Sequence, residues 1–320
     1  MSRFGQRENP MRTCLISPAS SLDHDTGPSH PERPARVEAV WRALAAPAFA
    51  ALRRHDATPA YTAALCRVHD PDYVKRVLAI RPGPGERRAL DPDTQISAGS
   101  AAAALDAAGG AIAAVDLVMA DQADAVFVAA RPPGHHAEAD RAMGFCLFNN
   151  VAIAAHHARA RWGITRVAVV DFDVHHGNGT QAMFAADADA FFGSSHQSPC
   201  YPGTGAAHET GIAGNIVNAP LAPGSGSDAF RAAWQHRILP ALDAFGPALI
   251  LISAGFDGHR DDPLAALNLV EADFAWVTGE IAKHAQKHSG GRLVSVLEGG
   301  YDLDALAASA AAHVQALIDA

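Results

Sequence analysis

The chain has 320 residues, 49% of them hydrophobic and 18% charged, which supplies a large core and excludes disorder through the body. Its formal charge is −9 and it has no basic run, which excludes a nucleic-acid footprint. The same charge weakly favours cationic substrates through a long-range attraction that salt screens.

In chain order, residues 1–10 are polar and without pattern and are expected to be a loose tail. The apolar run at 13–16 is too short for a signal peptide; a strand is expected at 14–16. A polar loop, 20–33, carries His24, Asp25, His30 and Glu32, and Pro34 opens a helix to about residue 44. A second short helix is expected at 70–78, and a Pro- and Gly-rich loop at 81–94. The longest apolar stretch, 97–120, is rich in Ala and Gly and includes Asp106 and Asp116, which predicts a buried helix rather than a membrane span. Strand 125–128, helix 151–161, strand 166–170, helix 179–184 and a short strand at 190–193 follow, with an extended segment at 215–218. Helix 227–245, strand 248–252, helix 271–288, strand 292–297 and helix 303–318 complete the pattern. Apolar strands alternating with helices predict an α/β fold with a mostly parallel sheet between helical layers, in one domain over 11–320. The four cysteines, Cys14, Cys66, Cys146 and Cys200, lie far apart and form no CxxC pair, so a reducing, cytoplasmic setting is expected.

Four apolar strands run directly into polar clusters. These are Arg131-Pro132-Pro133-Gly134-His135-His136, the stretch 171–176, Ser253-Ala254-Gly255-Phe256-Asp257, and Glu298-Gly299-Gly300-Tyr301. Ligands bind beyond the carboxyl ends of the strands in open parallel sheets, so the four clusters should share one site. In the second, Asp171, Asp173 and His175 alternate, and residues two apart in extended chain point the same way. Asp173, His175 and Asp257 supply two carboxylates and an imidazole, the usual set for a catalytic zinc with one open position, although iron(II) or manganese also fits. Such an ion activates water and polarises a carbonyl. His135 and His136 are acid/base candidates, and Tyr301 is a donor to a developing oxyanion. These parts predict hydrolysis of an amide or ester. Against them stand plainer readings: a turn for Asp173, a helix cap for Asp257, a tight turn for Gly299-Gly300.

The motifs HPERPAR (30–36), RPPGHHA (131–137), GFCLFNNVAIAA (144–155), DFDVHHGNGTQ (171–181), SHQSPCYPGTG (195–205), SAGFD (253–257) and EGGY (298–301) occur together and in this order. In them the chain resembles the zinc-dependent histone deacetylase family, especially its class II-like bacterial members and the acetylpolyamine amidohydrolases. The resemblance implies the arginase/deacetylase three-layer fold and one catalytic zinc on Asp173, His175 and Asp257. It implies His136 as general base and later acid, His135 as electrostatic support backed by Asp171, and Tyr301 as the group that polarises the acyl carbonyl. Asn178 stands where some relatives carry an aspartate behind the second histidine. Phe145 and Tyr201 would flank a substrate tunnel, with Gly144, Gly300 and Leu264 also in contact with substrate, Asp93 at the rim and Arg36 near the floor. Structural potassium is implied at Asp171, Asp173, His175, Ser194 and Ser195, and again at Phe184, Asp187, Ala190 and Asn215.

The expected substrate is an acylated lysine of a protein or peptide. The alternative is a small acetylated amine such as an acetylpolyamine; Leu264 replaces the acidic gatekeeper of a polyamine-selective relative and offers a second ammonium no partner. A catalytically silent acyl-lysine-binding module is a third reading, disfavoured because every ligand, both histidines and Tyr301 are present. Neither a membrane nor a nucleic-acid partner is expected, and a homo-oligomer is compatible with the sequence.

Overall fold

Eight strands pair side by side in one sheet, in the order β2-β1-β5-β10-β9-β6-β7-β8. They are β1 (Thr13–Ile16), β2 (Arg53–His55), β5 (Ala125–Val128), β6 (Val167–Asp171), β7 (Ala190–Gln197), β8 (Ile216–Leu221), β9 (Leu249–Ala254) and β10 (Leu293–Leu297). All pairings within this sheet are parallel. A separate antiparallel hairpin joins β3 (Arg87–Ala89) to β4 (Gln95–Ser97). The computed structural model describes residues 12–320, and the tail expected at 1–10 lies outside the described residues.

Strand composition explains why both faces are covered. In β6, Ala168 and Val170 pack into one apolar cluster while Val167 and Val169 pack into another on the opposite face. The same alternation divides Phe127 from Val126 and Val128 in β5. The first face is covered by α1 (Ala35–Ala43), α7 (Ser227–Ala233), α8 (Leu239–Phe245), α9 (Glu271–His288) and α10 (Leu303–Asp319). The second is covered by α4 (Ser100–Met119), α5 (Asn150–Trp162) and α6 (Asn178–Phe184). The short helices α2 (Thr62–Leu65) and α3 (Pro71–Ala79) pack outside α4 and α5. The chain therefore has the α/β three-layer architecture with a parallel central sheet.

Helix α4 is long and apolar enough to cross a membrane by composition alone, yet 61% of its most apolar window is buried inside this fold. Three expectations are refined. The loop expected at 81–94 contains β3. The helix expected at 227–245 is interrupted by a π-helical turn, Trp234–Ile238, next to Pro240, which has no N–H to continue the regular ladder. The strand expected at 190–193 runs on to Gln197 because β8 continues to pair with it. The edge strand β2 is exposed along its length and lacks an apolar run that would reveal it in sequence.

Candidate active site

The strands that end in polar clusters, β5, β10, β9 and β6, are four consecutive neighbours in the middle of the sheet. Their carboxyl ends therefore place residues from 131 to 301 around one point. There, His175 Nδ1 lies 3.2 Å from Asp173 Oδ1 and 3.1 Å from Asp257 Oδ2. These three residues are buried, with ligand atoms all within 4.8 Å of one another. Backbone groups aim the carboxylates. Asp257 Oδ1 accepts from Val174 N at 2.9 Å, and Asp173 Oδ2 accepts from Gly299 N at 2.8 Å. A Cβ on Gly299 would meet Asp257 Oδ2 at 2.0 Å, so only glycine permits this approach. Two oxygens converging on one ring nitrogen, buried and oriented, fit a metal ion of the zinc, iron(II) or manganese type.

The site opens through a cavity of about 220 Å³ lined by Asp93, His136, Gly144, Phe145, His175, Tyr201, Leu264 and Tyr301. The Phe145 ring lies edge-on to Tyr301 at 5.8 Å, and the Tyr201 ring edge-on to His136 at 5.1 Å. Gly144 has φ +56°, and a Cβ there would strike His136 Cδ2 at 2.4 Å. Of the residues expected to contact substrate, Gly300 does not line this cavity. Its carbonyl accepts from Arg36 Nε at 2.6 Å, behind Tyr301. Arg36 itself is fully buried and places its guanidinium 4.8 Å from the centre of the Tyr301 ring.

The two adjacent histidines differ in surroundings. His135 Nδ1 lies 2.9 Å from Asp171 Oδ2, and its Nε2 lies 3.8 Å from Asp173 Oδ1. Burial opposes its charge, but Asp173 and Asp171 outweigh burial and raise its pKa to about 10. His136 is pushed well below the ordinary histidine value by burial, and further by the neighbouring His135 and His175. Its Nδ1 lies 2.8 Å from Asn178 Oδ1, while Asn178 Nδ2 donates to Glu138 Oε1 at 2.7 Å. That second bond orients the amide, so His136 carries its proton on Nδ1 and leaves Nε2 as an acceptor. Burial, reinforced by Asp257 and Asp173, raises the Tyr301 phenol well above its usual value, so it stays a donor.

Around the second proposed potassium position, the carbonyls of Phe184, Asp187 and Ala190 all lie 2.8–3.1 Å from Asn215 Nδ2. An amide has two N–H groups, so three carbonyls converging on it form an oxygen cluster richer than the amide can serve. Near the first, β6 and β7 pair Asp171 with Ser194. The Ser194 hydroxyl lies 2.9 Å from His196 Nδ1, and Ser195 Oγ accepts from Trp234 Nε1 at 3.0 Å.

Several supporting residues escape a reading of motifs. Glu298 Oε2 accepts from Gly134 N at 2.7 Å and His135 N at 3.1 Å, tying the end of β10 to the histidine turn. Burial raises its pKa to about 7. Thr94 Oγ1 accepts from Phe145 N at 3.0 Å, and His30 packs on the Phe145 ring at 4.7 Å while bonding the Asp93 carbonyl at 3.0 Å. Glu32 pairs with Arg131 and Arg36 beneath the site. Glu298, His30 and Glu32 were visible in sequence only as members of polar segments; their long-range contacts, to backbone N–H groups for Glu298 and to Arg131 and Arg36 for Glu32, leave no sequence period.

Residues 30–317 match the histone deacetylase domain family. The chain is 42% identical over 309 residues to an uncharacterized protein of Synechocystis, covering 95% of this chain and 99% of that one. It is 45% identical over 256 residues to the histone deacetylase-like amidohydrolase of Pseudomonas aeruginosa, covering 79% of this chain and 67% of that protein. Its fold matches the crystal structure of the HDA15 HD domain with a TM-score of 0.90 and 35% identity, over 96% of this chain and 88% of that one. By sequence along nearly its whole length, and by fold, the chain belongs to the histone deacetylase family of amidohydrolases.

Proposed function

We propose that the protein is a zinc-dependent amidohydrolase that removes acetyl or other acyl groups from the side-chain amine of lysine in proteins or peptides. One observation carries the reading: a largely apolar cavity reaches His175, which meets Asp173 and Asp257, beside an acceptor nitrogen of His136 and the Tyr301 phenol. Zinc held by the three ligands would supply Lewis acidity and a water of lowered pKa. His136 Nε2 takes a proton from the attacking water and returns it to the departing amine. Tyr301 donates a hydrogen bond to the acyl oxygen as charge develops there. His135, held between Asp171 and Asp173, gives electrostatic support beside that chemistry. Phe145 and Tyr201 provide aromatic walls for an aliphatic stem, and Leu264, 38% exposed, leaves the rim apolar. Structural potassium is part of the proposal, with the oxygen cluster around Asn215 as its support.

Small acetylated amines are the second reading, favoured by the Asp93 carboxyl at the cavity. A kcat/KM panel of acyl-lysine peptides of several acyl lengths beside acetylputrescine and acetylspermidine separates them. The proposal expects an acyl-lysine peptide to be turned over best. Better turnover of either acetylpolyamine than of every peptide reverses the assignment.

A further inference from the structure

Asp262 lies five residues beyond Asp257, is 7% exposed, and takes no part in the chemistry above. Its Oδ2 accepts from Tyr301 N at 2.7 Å and from Asp302 N at 3.4 Å, and its Oδ1 accepts from Leu264 N at 3.0 Å. One buried carboxylate thus joins the loop that leaves the metal ligand Asp257, the cavity rim at Leu264 and the turn that bears the phenol. We infer that Asp262 is a positioning residue that fixes Tyr301 against the metal site and the rim, an inference that rests on Tyr301 as donor to the acyl oxygen.

The turn needs such a pin. Gly299 and Gly300 precede Tyr301, and Gly300 adopts φ +119°, so the backbone entering Tyr301 has little intrinsic stiffness. Arg36 fixes the Gly300 carbonyl and covers one face of the ring, but neither contact holds the Tyr301 backbone nitrogen. Asp262 does. Helix capping does not account for it, because Asp302 caps α10 itself by accepting from Asp304 N and Ala305 N. The contacts also call for two side-chain oxygens. Acceptors are required on both oxygens, and an asparagine has one, so its NH2 would face either the Tyr301 or the Leu264 N–H.

A double-mutant cycle tests this. Asp262→Asn should lower kcat on an acetyl-lysine peptide on the order of 10-fold or more, with KM within about twofold, since a small displacement of a reacting group is costly. Zinc bound per chain should equal that of the unaltered protein. In a Tyr301→Phe background the same change should cost less than about threefold, because the group it positions has gone. An equal fold loss in both backgrounds, or a raised KM with kcat intact, overturns the inference. An unchanged kcat in Tyr301→Phe alone overturns the reading of Tyr301, and the inference with it. Asp262→Ser, which keeps one acceptor, repeats the test if the amide variant does not fold by thermal unfolding; failure of both to fold also contradicts a positioning role.

Discussion

His135 and His136 are chain neighbours with ring centroids 4.0 Å apart, yet one faces carboxylates and the other an amide. The difference separates their work. Burial first, and then His135 and His175, lower the tendency of His136 to take a proton, while the Asn178 carbonyl oxygen fixes which nitrogen carries its hydrogen. Loss of that anchor should matter more than its distance from substrate suggests. Asn178→Ala is expected to lower kcat by roughly 10- to 100-fold, the scale seen when an orienting partner behind a histidine is removed. Zinc content should be unchanged, since Asn178 touches none of the three ligands' converging atoms. Steady-state kinetics with metal analysis checks this; full activity in the variant rules out the tautomer assignment. Tyr301→Phe removes one oxyanion donor and should cost about 100-fold or more in kcat.

At the scale of elements, the strands that build the site were legible because each is a short apolar run that stops at a polar cluster. Their adjacency in the sheet was not, since apolar runs give no pairing order; β5 and β10 are neighbours across more than half the chain. The interruption between α7 and α8 was hidden because the apolar period continues through it. Helix α10 carries a feature that periodicity alone reads as core: His313, fully buried against Phe127, Phe172 and Phe256. Thr278 Oγ1 donates to Phe274 O, so His313 Nδ1 donates to Thr278 and Nε2 accepts from Ser295. Burial lowers its pKa to about 3. Between the unfolded value near 6.5 and that folded value, the unfolded chain binds a proton that the folded chain does not. Stability should therefore fall with decreasing pH across this window, by roughly 1.4 kcal/mol per unit from this residue. Denaturant unfolding at a series of pH values should show a shallower decline in His313→Gln, and an unchanged slope would remove His313 from the account.

For the whole molecule, the sheet acts as a frame whose four neighbouring middle strands bring their polar clusters to one end. Motif order made that end legible; alternation singled out Asp171, Asp173 and His175, Asp257 came from a separate strand-end cluster, and the resemblance implied that Asp173, His175 and Asp257 form the metal set. Residues that work by gripping the backbone, such as Glu298 on the histidine turn and Asp262 on the Tyr301 turn, became visible only with the fold in place. The joint dependence of metal and hydrolysis on the three buried ligands is the claim on which the rest stands. The most direct measurement is zinc titration of the chelated protein, with bound metal and hydrolysis of an acetyl-lysine peptide followed together, beside Asp257→Ala. The account predicts that activity rises in step with one zinc per chain and that the variant neither binds zinc tightly nor turns over substrate. Full activity in the chelated protein or in Asp257→Ala would contradict it.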